Sequence, residues 1–277
     1  MNNKLNIIGT VMATSLLSAV LLTGCQDTDY PEAQPVTSPS TNQARFLFVN
    51  AAPGVPTLNF FVENNPTGQG IAFGQTTPYA STQVGTVQLR AKAASGAIGG
   101  VIGSNDIVFR AGATNQTNFA AAANTSYTVF VTDTLNRPRP TTLNATNLGG
   151  PQFAIVTDPL TQTLAAGAGG VRFFHFAPDG PAVSVRLSVP TSATGVPATV
   201  ASFLNRAYRN VITTAFTSVS AGTYRVDVFA GATIPTVATT APVLSTTVTV
   251  EATKLYTVFA QGLLRNRTLG VGRVQHN

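Results

Sequence analysis

Two pairs of arginines are the residues in this sequence whose types and spacing could do chemistry. Arg137 and Arg139 flank a proline, and Arg265 and Arg267 flank an asparagine. Each pair follows a Tyr-Thr-Val-Phe run at nearly the same distance. A guanidinium group is a planar fork of N–H donors that binds carboxylate or phosphate through two parallel hydrogen bonds. The pairs are therefore candidate binding sites for an acidic ligand, although charge-poor proteins also carry solvated arginines on loops without any ligand.

The sequence offers little for catalysis. It has two histidines, His175 in an apolar run and His276 beside the C-terminus, and its ten acidic residues are scattered singly. Hydrolases need paired carboxylates or a nucleophile with a base, and metal sites need His, Cys or carboxylates at ligand spacing. We therefore expect no enzyme activity, no metal and no cofactor, and we interpret His175 as a strand residue with a local hydrogen bond. An enzyme would need a carboxylate pair that only the fold brings together.

The single cysteine, Cys25, closes an N-terminal segment of a recognisable type. Lys4 supplies a positive charge, and residues 7–22 are apolar but too short and too rich in small residues for a stable membrane span. The run Leu-Thr-Gly-Cys at 22–25 resembles the lipobox of bacterial lipoproteins, which implies cleavage before Cys25 and acylation of its thiol and amine. We predict that residues 1–24 are a lipoprotein signal peptide and that acyl chains on Cys25 hold the protein on a membrane.

Residues 25–43 are predicted to be a lipidated flexible tether. They are rich in Pro, Ser, Thr, Asn and Gln and have almost no large apolar side chain, so they cannot form a core. Asp27, Asp29 and Glu32 lie at its anchored end. One interpretation is a solvated stalk, and the other is that these acids resemble a surface-export signal of bacterial lipoproteins. We expect a lipid-anchored protein of the cell envelope, at the outer membrane, which the export signal would place on the cell surface.

The remainder of the chain repeats one β-rich pattern. Ala-Pro-Gly-Val-Pro at 52–56 returns 125 positions later as Ala-Pro-Asp-Gly-Pro at 177–181, and Tyr-Thr-Val-Phe occurs at 127–130 and 256–259. Val, Thr and Phe between Gly and Pro turns favour short strands, and no segment has a convincing helical period. In the first repeat we predict strands at 45–50, 57–63, 71–73, 85–92, 106–110, 117–121, 127–133 and 152–157. Short strands at this spacing are typical of a sandwich or barrel.

The order of these motifs resembles the domain of unknown function 4397 family. An apolar strand is followed by Ala-Pro-x-x-Pro, an alternating strand, Gly-Thr and finally Tyr-Thr-Val-Phe, twice over nearly all of residues 44–277. The resemblance implies an all-β protein of two tandem immunoglobulin-like β-sandwich domains, at 44–160 and 169–277, with no assigned activity. The sequence departs from the family pattern at Gly54, where Asp is more usual and where the second repeat has Asp179.

Charge is distributed unevenly between the repeats. Residues 170–277 carry a net charge of +6, against +2 for residues 44–160. We expect a non-catalytic envelope lipoprotein that displays its two sandwiches for protein binding or surface architecture. The alternative is a glycan- or polyanion-binding module, and the absence of Trp disfavours a flat glycan platform. Expected partners are the membrane, an envelope protein or an acidic polysaccharide, and not nucleic acid, because aromatic and basic residues are not interleaved.

The repeated pattern leads to one expectation about folding and one about two tyrosines. Each repeat has its own full set of strands, so we predict that the second repeat folds by itself. Tyr127 and Tyr256 each begin a late strand four residues after an alanine. Both are predicted to form a tyrosine corner, in which the hydroxyl bonds back to the preceding turn.

Overall fold

The computed structural model describes residues 42–94, 106–110, 117–135, 137, 150–190, 198–236 and 240–277. Cys25, the predicted signal peptide, nearly all of the predicted tether and Arg139 lie outside these residues. Within the described ranges all regular structure is β-strand, and no helix there is long and apolar enough to cross a bilayer.

The described residues form seventeen strands, which belong to two halves. The first half contains β1 (Gln43–Asn50), β2 (Leu58–Val62), β3 (Asn65–Ile71), β4 (Ala80–Gln83), β5 (Gly85–Ala93), β6 (Asp106–Val108), β7 (Asn118–Ala121), β8 (Ser126–Thr132) and β9 (Gln152–Asp158). The second half contains β10 (Ala168–His175), β11 (Val183–Ser188), β12 (Thr199–Arg206), β13 (Thr217–Ser220), β14 (Gly222–Ala230), β15 (Leu244–Val250), β16 (Leu255–Gln261) and β17 (Gly270–Gln275).

Each half consists of two sheets with the same arrangement. The inner sheets have the orders β4-β1-β8-β9 and β13-β10-β16-β17, and the outer sheets have the orders β3-β2-β5-β6 and β12-β11-β14-β15. In both inner sheets the strand that begins the half, β1 or β10, pairs in parallel with the strand that contains Tyr-Thr-Val-Phe, β8 or β16. Phe46 lies opposite Tyr127, and Val171 lies opposite Tyr256. The two halves therefore share one topology, as the repeated motifs suggested.

A separate core lies between the two sheets of each half. Phe48 of β1 stacks on Phe60 of β2 at 4.8 Å, and Phe173 of β10 stacks on Phe203 of β12 at 6.2 Å. The outer strands alternate as half-buried strands should, with Val87, Leu89 and Ala91 of β5 turned inward. These layers confirm the all-β sandwich prediction.

A third core joins the two inner sheets to each other. It contains Leu47, Val49, Ala51, Phe130, Ala154, Val156, Phe174, Phe176, Phe259 and Val274. The ring of Phe130 lies 4.5 Å from that of Phe176 and 5.2 Å from that of Phe259. Strands β8, β10 and β16 are consequently buried on both faces, so every residue in them is buried and the burial does not alternate.

The third core argues against separate folding of the repeats. Thr41–Asn277 forms one compact unit. A second half cut from the chain would expose Phe174, Phe176 and Phe259 to water. Since a fully buried Phe side chain contributes about 1.5–3 kcal/mol, we expect the two halves to depend on each other.

The strand predictions for the first half were right except at two edge strands. Strand β3 occupies residues 65–71, where a strand was predicted only at 71–73, and β4 was not predicted. Both are edge strands, and an edge tolerates a proline because its N–H side needs no partner. The parallel β1–β8 pair also differs from the antiparallel sheets of immunoglobulin domains, so the immunoglobulin-like part of the prediction is not confirmed.

Candidate functional site

The inner strands give the folded unit two distinguishable ends. Near the starts of β8 and β16, Thr128 bonds to Asp158 and Thr257 bonds to Arg172, the ion-pair partner of Asp158. Further along, Phe130 of β8 packs on Phe259 of β16. The two strands therefore run in the same direction, and their parallel partners β1 and β10 run with them. We call the end at which these four strands begin the proximal pole, and the end at which they finish the distal pole.

The candidate arginines of the second half lie at the distal pole, on residues 262–268 between β16 and β17, which we call the Arg265 loop. Its ends are tied together, because Thr268 N donates to Leu263 O at 3.0 Å and Leu263 N donates to Thr268 Oγ1 at 3.1 Å. Gly262 has φ +92°, and a Cβ there would lie 2.2 Å from Thr268 O. Only glycine fits this close approach.

Asp179 fixes the Arg265 loop from the repeated Ala-Pro motif. Its carboxylate accepts the backbone N–H of Leu264 at 2.8 Å and that of Arg265 at 3.0 Å. In the first half the corresponding position is Gly54, which has φ +79° and no neighbouring atom within 4 Å of a Cβ. Because Gly54 has no side chain, the first half lacks the carboxylate that holds the Arg265 loop in the second half, a contact that we call the loop clamp.

Arg265 and Arg267 are presented to solvent. The Arg265 side chain is 68% exposed, and its Nε lies 3.8 Å from Asp179 Oδ2, so its guanidinium is only weakly engaged. Arg267 is exposed with φ +53° and forms no salt bridge with any residue in the described part of the chain. The loop thus holds two cationic groups on a fixed backbone.

Arg137 is placed differently. It follows β8 at the distal pole, but it is half-buried and forms an ion pair with Asp133, which is buried directly after β8. Its partner in the candidate pair, Arg139, lies outside the described residues. The two arginine pairs occupy corresponding connections, but the first half uses Arg137 to neutralise a buried carboxylate.

Arg209, which no sequence motif indicated, links the halves near the same pole. Its Nη1 donates to Gln152 Oε1 at 2.5 Å, its Nη2 donates to Phe153 O at 2.7 Å, and its backbone N–H donates to His175 O. Burial lowers the pKa of the Arg209 guanidinium, whereas the charge of Asp133 opposes that change. Its position between the two halves gives it a joining role.

A buried polar cluster occupies the junction towards the proximal pole. Asp158 forms an ion pair with Arg172 and accepts hydrogen bonds at 2.7 Å from the hydroxyls of Thr128 and Tyr79. Arg172 also donates through Nη1 to the backbone carbonyls of Thr157 at 3.0 Å and of Thr214 at 2.9 Å. Its guanidinium lies 4.5 Å from the ring centroid of Phe216. Each half contributes one charge of the ion pair.

His276 completes this cluster into a closed ring. Its Nδ1 lies 2.7 Å from Tyr79 Oη, its Nε2 lies 2.7 Å from Thr257 Oγ1, and Arg172 Nε donates to the same Thr257 oxygen at 2.7 Å. We call the five side chains Arg172, Thr257, His276, Tyr79 and Asp158 the junction ring. His276 lies opposite Leu255, which immediately precedes Tyr256, and Asp158 lies opposite Ser126, which immediately precedes Tyr127. His276 and Asp158 therefore occupy corresponding positions in the two halves.

Burial dominates the ionisation of the ring. It raises the pKa of the Asp158 carboxyl, an effect opposed by the charge of Arg172 and by the hydrogen bonds from Thr128 and Tyr79. Burial, with the nearby Asp158 charge, raises the pKa of the Tyr79 hydroxyl. Burial, together with the positive charge of Arg172, lowers the pKa of His276 to about 3. His276 is therefore neutral at physiological pH.

His175 matches its interpretation as a strand residue with a local hydrogen bond. It ends β10, is 1% exposed, and its Nδ1 accepts the backbone N–H of Ala177 at 3.5 Å. Burial lowers its pKa. An apolar cavity beside it encloses about 10 Å³, close to the minimum that one water molecule needs. No group of three or more potential metal ligands occurs among the described residues.

The tyrosine-corner prediction is right for one half only. Tyr127 Oη accepts the N–H of Ala122 at 3.0 Å, back across the turn as predicted. Tyr256 is fully buried, but its hydroxyl has no hydrogen-bond partner within the described ranges. Instead, Tyr224 of the second half donates to Ser220 O at 2.7 Å.

Comparison with known proteins places these features in a family. A search of curated proteins found no match to the chain. The family model for the domain of unknown function DUF4397 matches residues 44–186, from β1 into β11. That segment is more than half of the chain and includes both copies of the Ala-Pro motif. The protein therefore belongs to the DUF4397 family of domains of unknown function.

Proposed function

We propose that this protein is a non-catalytic lipoprotein of the cell envelope that displays a rigid pair of DUF4397 sandwiches for binding or for envelope architecture. The second half is a second copy of the family domain, because its sheet orders and its parallel inner pair repeat those of the first. Its anchor is the acylated Cys25, and residues 25–43 are the tether. The buried titratable groups of the junction bind one another and serve no reaction.

The observation that carries this proposal is the placement of the chain entry and the Arg265 loop at opposite poles. Strand β1 begins at the proximal pole, and Asn277 closes the chain there by accepting the N–H of Leu255 at 2.8 Å. A tether that leads to β1 leaves the distal pole as the end farthest from the attachment point. A binding surface is most useful at that end, where a rigid scaffold presents its loops.

The anchor is tested by metabolic labelling with palmitate. Wild-type protein should incorporate the label, and the Cys25→Ala variant should incorporate none. Equal labelling of both would overturn the lipid anchor.

Display is tested by labelling with a maleimide that does not cross membranes. Because Cys25 is the only cysteine and acylation would block its thiol, Asn266→Cys would place one reactive thiol on the exposed Arg265 loop. We expect this variant to react on intact cells, or once the outer membrane is permeabilised. Reaction only after the inner membrane is lysed would contradict an envelope location.

A second candidate function is the binding of a polyanion, such as an acidic polysaccharide, by Arg265 and Arg267. The specific observation in its favour is that Asp179 holds the loop through its backbone N–H groups and leaves both guanidinium groups in solvent. A preorganised loop loses little conformational freedom when it binds. Exposed charges are screened over about 8–10 Å at physiological ionic strength, so such binding should weaken as salt rises.

The test is a binding screen of residues 42–277 against acidic polysaccharides, lipopolysaccharide and envelope proteins at low and high salt. Arg265→Ala combined with Arg267→Ala should remove most of any signal. The matched control is Lys254→Ala with Arg273→Ala, which removes the same charge away from the Arg265 loop. A ligand whose affinity ignores salt and both double substitutions would show that the loop is only solvated surface.

A further inference from the structure

The junction ring has a single consistent arrangement of protons. The Asp158 carboxylate, ion-paired with Arg172, can only accept, so the Tyr79 hydroxyl gives its proton to Asp158 and its oxygen accepts from Nδ1–H of His276. A neutral imidazole carries one proton, so Nε2 of His276 is an acceptor and receives the proton of the Thr257 hydroxyl. Thr257 Oγ1 in turn accepts from Arg172 Nε. Every donor in the ring has one acceptor.

We propose that the junction ring is an acid-sensitive joint between the two halves, which neutral His276 closes as its Nδ1–H tautomer and which protonation of His276 opens. Protonated Nε2 would turn from an acceptor into a donor. The Thr257 hydroxyl would then receive two donors, from Arg172 and His276, and its own proton would lose its acceptor. The ring would break where the second half holds its C-terminal residues.

The groups that surround His276 all favour its neutral form or are already engaged. Arg172 of β10 is a positive charge in contact with the same hydroxyl, and it disfavours an imidazolium. Asp158 at the end of β9 would favour one, but its oxygens are occupied by Arg172, Thr128 and Tyr79. Tyr79, before β4, and Thr257 of β16 are neutral, and Phe216, before β13, packs its ring on the imidazole at 5.6 Å.

The direction of the pH effect follows from the two pKa values of His276. The pKa is about 3 in the folded protein and about 6.5 in an unfolded chain. The stabilisation is fully present above pH 6.5 and is lost as the pH falls towards 3, because only the unfolded chain takes up the proton in that window. One such proton raises the unfolding equilibrium constant about tenfold per pH unit. The range from pH 6 to 5 is best for measurement, since unfolded carboxyls are still charged there.

The most direct test is nitrogen NMR of the protein labelled with ¹⁵N-histidine. At pH 7 we expect His276 to carry its proton on Nδ1. His175, whose Nδ1 accepts from Ala177, should carry its proton on Nε2 and serves as an internal reference. His276 should stay neutral to below pH 5 while the protein remains folded. A His276 proton on Nε2, or titration of His276 near pH 6.5 in the folded state, would overturn the proposal.

Unfolding by urea between pH 6 and 5 gives a second readout. His276→Gln keeps one acceptor and one donor for Thr257 and Tyr79 but does not titrate, whereas His276→Phe opens the ring at every pH. We expect both variants to lower the pH slope by about one proton, and only the glutamine variant to retain most of the stability at pH 7. His175→Asn, which installs the residue found at the corresponding Asn50, should leave the His276 tautomer unchanged. An unaltered slope in His276→Gln would refute the acid-sensitive joint.

Discussion

Two arginine–aspartate pairs of the second half show what burial does to the same chemistry. Arg172 and Asp158 meet at the junction with side chains 2% and 0% exposed. Arg265 and Asp179 meet at the distal pole with side chains 68% and 16% exposed and 3.8 Å between the charged atoms. In the buried pair every side-chain nitrogen and oxygen of Arg172 and Asp158 forms a hydrogen bond. In the exposed pair the Asp179 oxygens accept backbone N–H groups and the Arg265 guanidinium faces water.

The difference separates a structural ion pair from a solvent-exposed arginine. A buried charge must be paired because its desolvation costs several kcal/mol, so removing one partner leaves the other in an apolar environment. An exposed pair contributes little to stability because water and salt screen it. Arg172 therefore stabilises the contact between the two halves, whereas Arg265 contributes little to stability and is the residue to which we assign the proposed binding.

Matched substitutions of the two arginines should give the largest difference. Arg172→Met should lower the free energy of unfolding by about 3–5 kcal/mol, because it strands Asp158 in the junction. Arg265→Met should lower it by no more than about 1 kcal/mol. Urea unfolding of residues 42–277 at pH 7 measures both values.

The double variant Arg172→Met with Asp158→Leu sharpens the same comparison. It should recover part of the lost stability, since an apolar pair can replace a buried ion pair. Equal, small losses for the two arginine substitutions would show that the junction pair is not the structural element we describe.

Removal of the loop clamp should have a smaller effect. Asp179→Ala deletes two charge-assisted hydrogen bonds to the Arg265 loop, so we expect a loss of about 1–3 kcal/mol and faster hydrogen exchange at the amides of Leu264 and Arg265. Glu251→Ala removes the same charge from an exposed turn and serves as the control. Unchanged exchange at the two amides would mean that the loop is ordered without Asp179.

The tyrosine substitutions should give the smallest effect and still distinguish the halves. Tyr127→Phe removes the bond from Ala122 and should cost about 0.5–1.5 kcal/mol. Tyr256→Phe should cost close to nothing, because the Tyr256 hydroxyl bonds to none of the described residues. Thermal unfolding of the two variants measures the difference, and equal losses would restore the symmetric pair of corners predicted from the sequence.

The sequence predicted the fold well wherever a local pattern reports on burial. The strands predicted at 85–92 and 127–133 are found as β5, in which burial alternates, and as β8, which is buried throughout. Edge strand β3 was predicted only at 71–73 and β4 was missed, because an edge needs few apolar residues and tolerates Pro66. Local patterns of this kind do not show which sheets pack against each other, so the contact between the two inner sheets was not predicted.

The sequence predicted which loops carry the candidate arginines but not which residues those arginines contact. The spacing after Tyr-Thr-Val-Phe placed Arg137 and Arg265 on corresponding connections, but nothing local distinguished the ion-paired Arg137 from the exposed Arg265. The junction ring joins residues as far apart as Tyr79 and His276. One signal was available, since Arg172 interrupts the apolar run of β10 and a charge in a strand buried on both faces must have a buried partner.

The two halves form one folded unit through their inner sheets. This dependence of the halves on each other is tested most directly by urea unfolding of residues 42–277, followed through the methyl NMR signals of Val129 and Val258. These two valines are buried in the separate sandwich cores of the first and second half. We predict that both signals disappear in a single transition with the same midpoint and slope. Two transitions with separate midpoints would show that the two halves fold independently and do not form one folded unit.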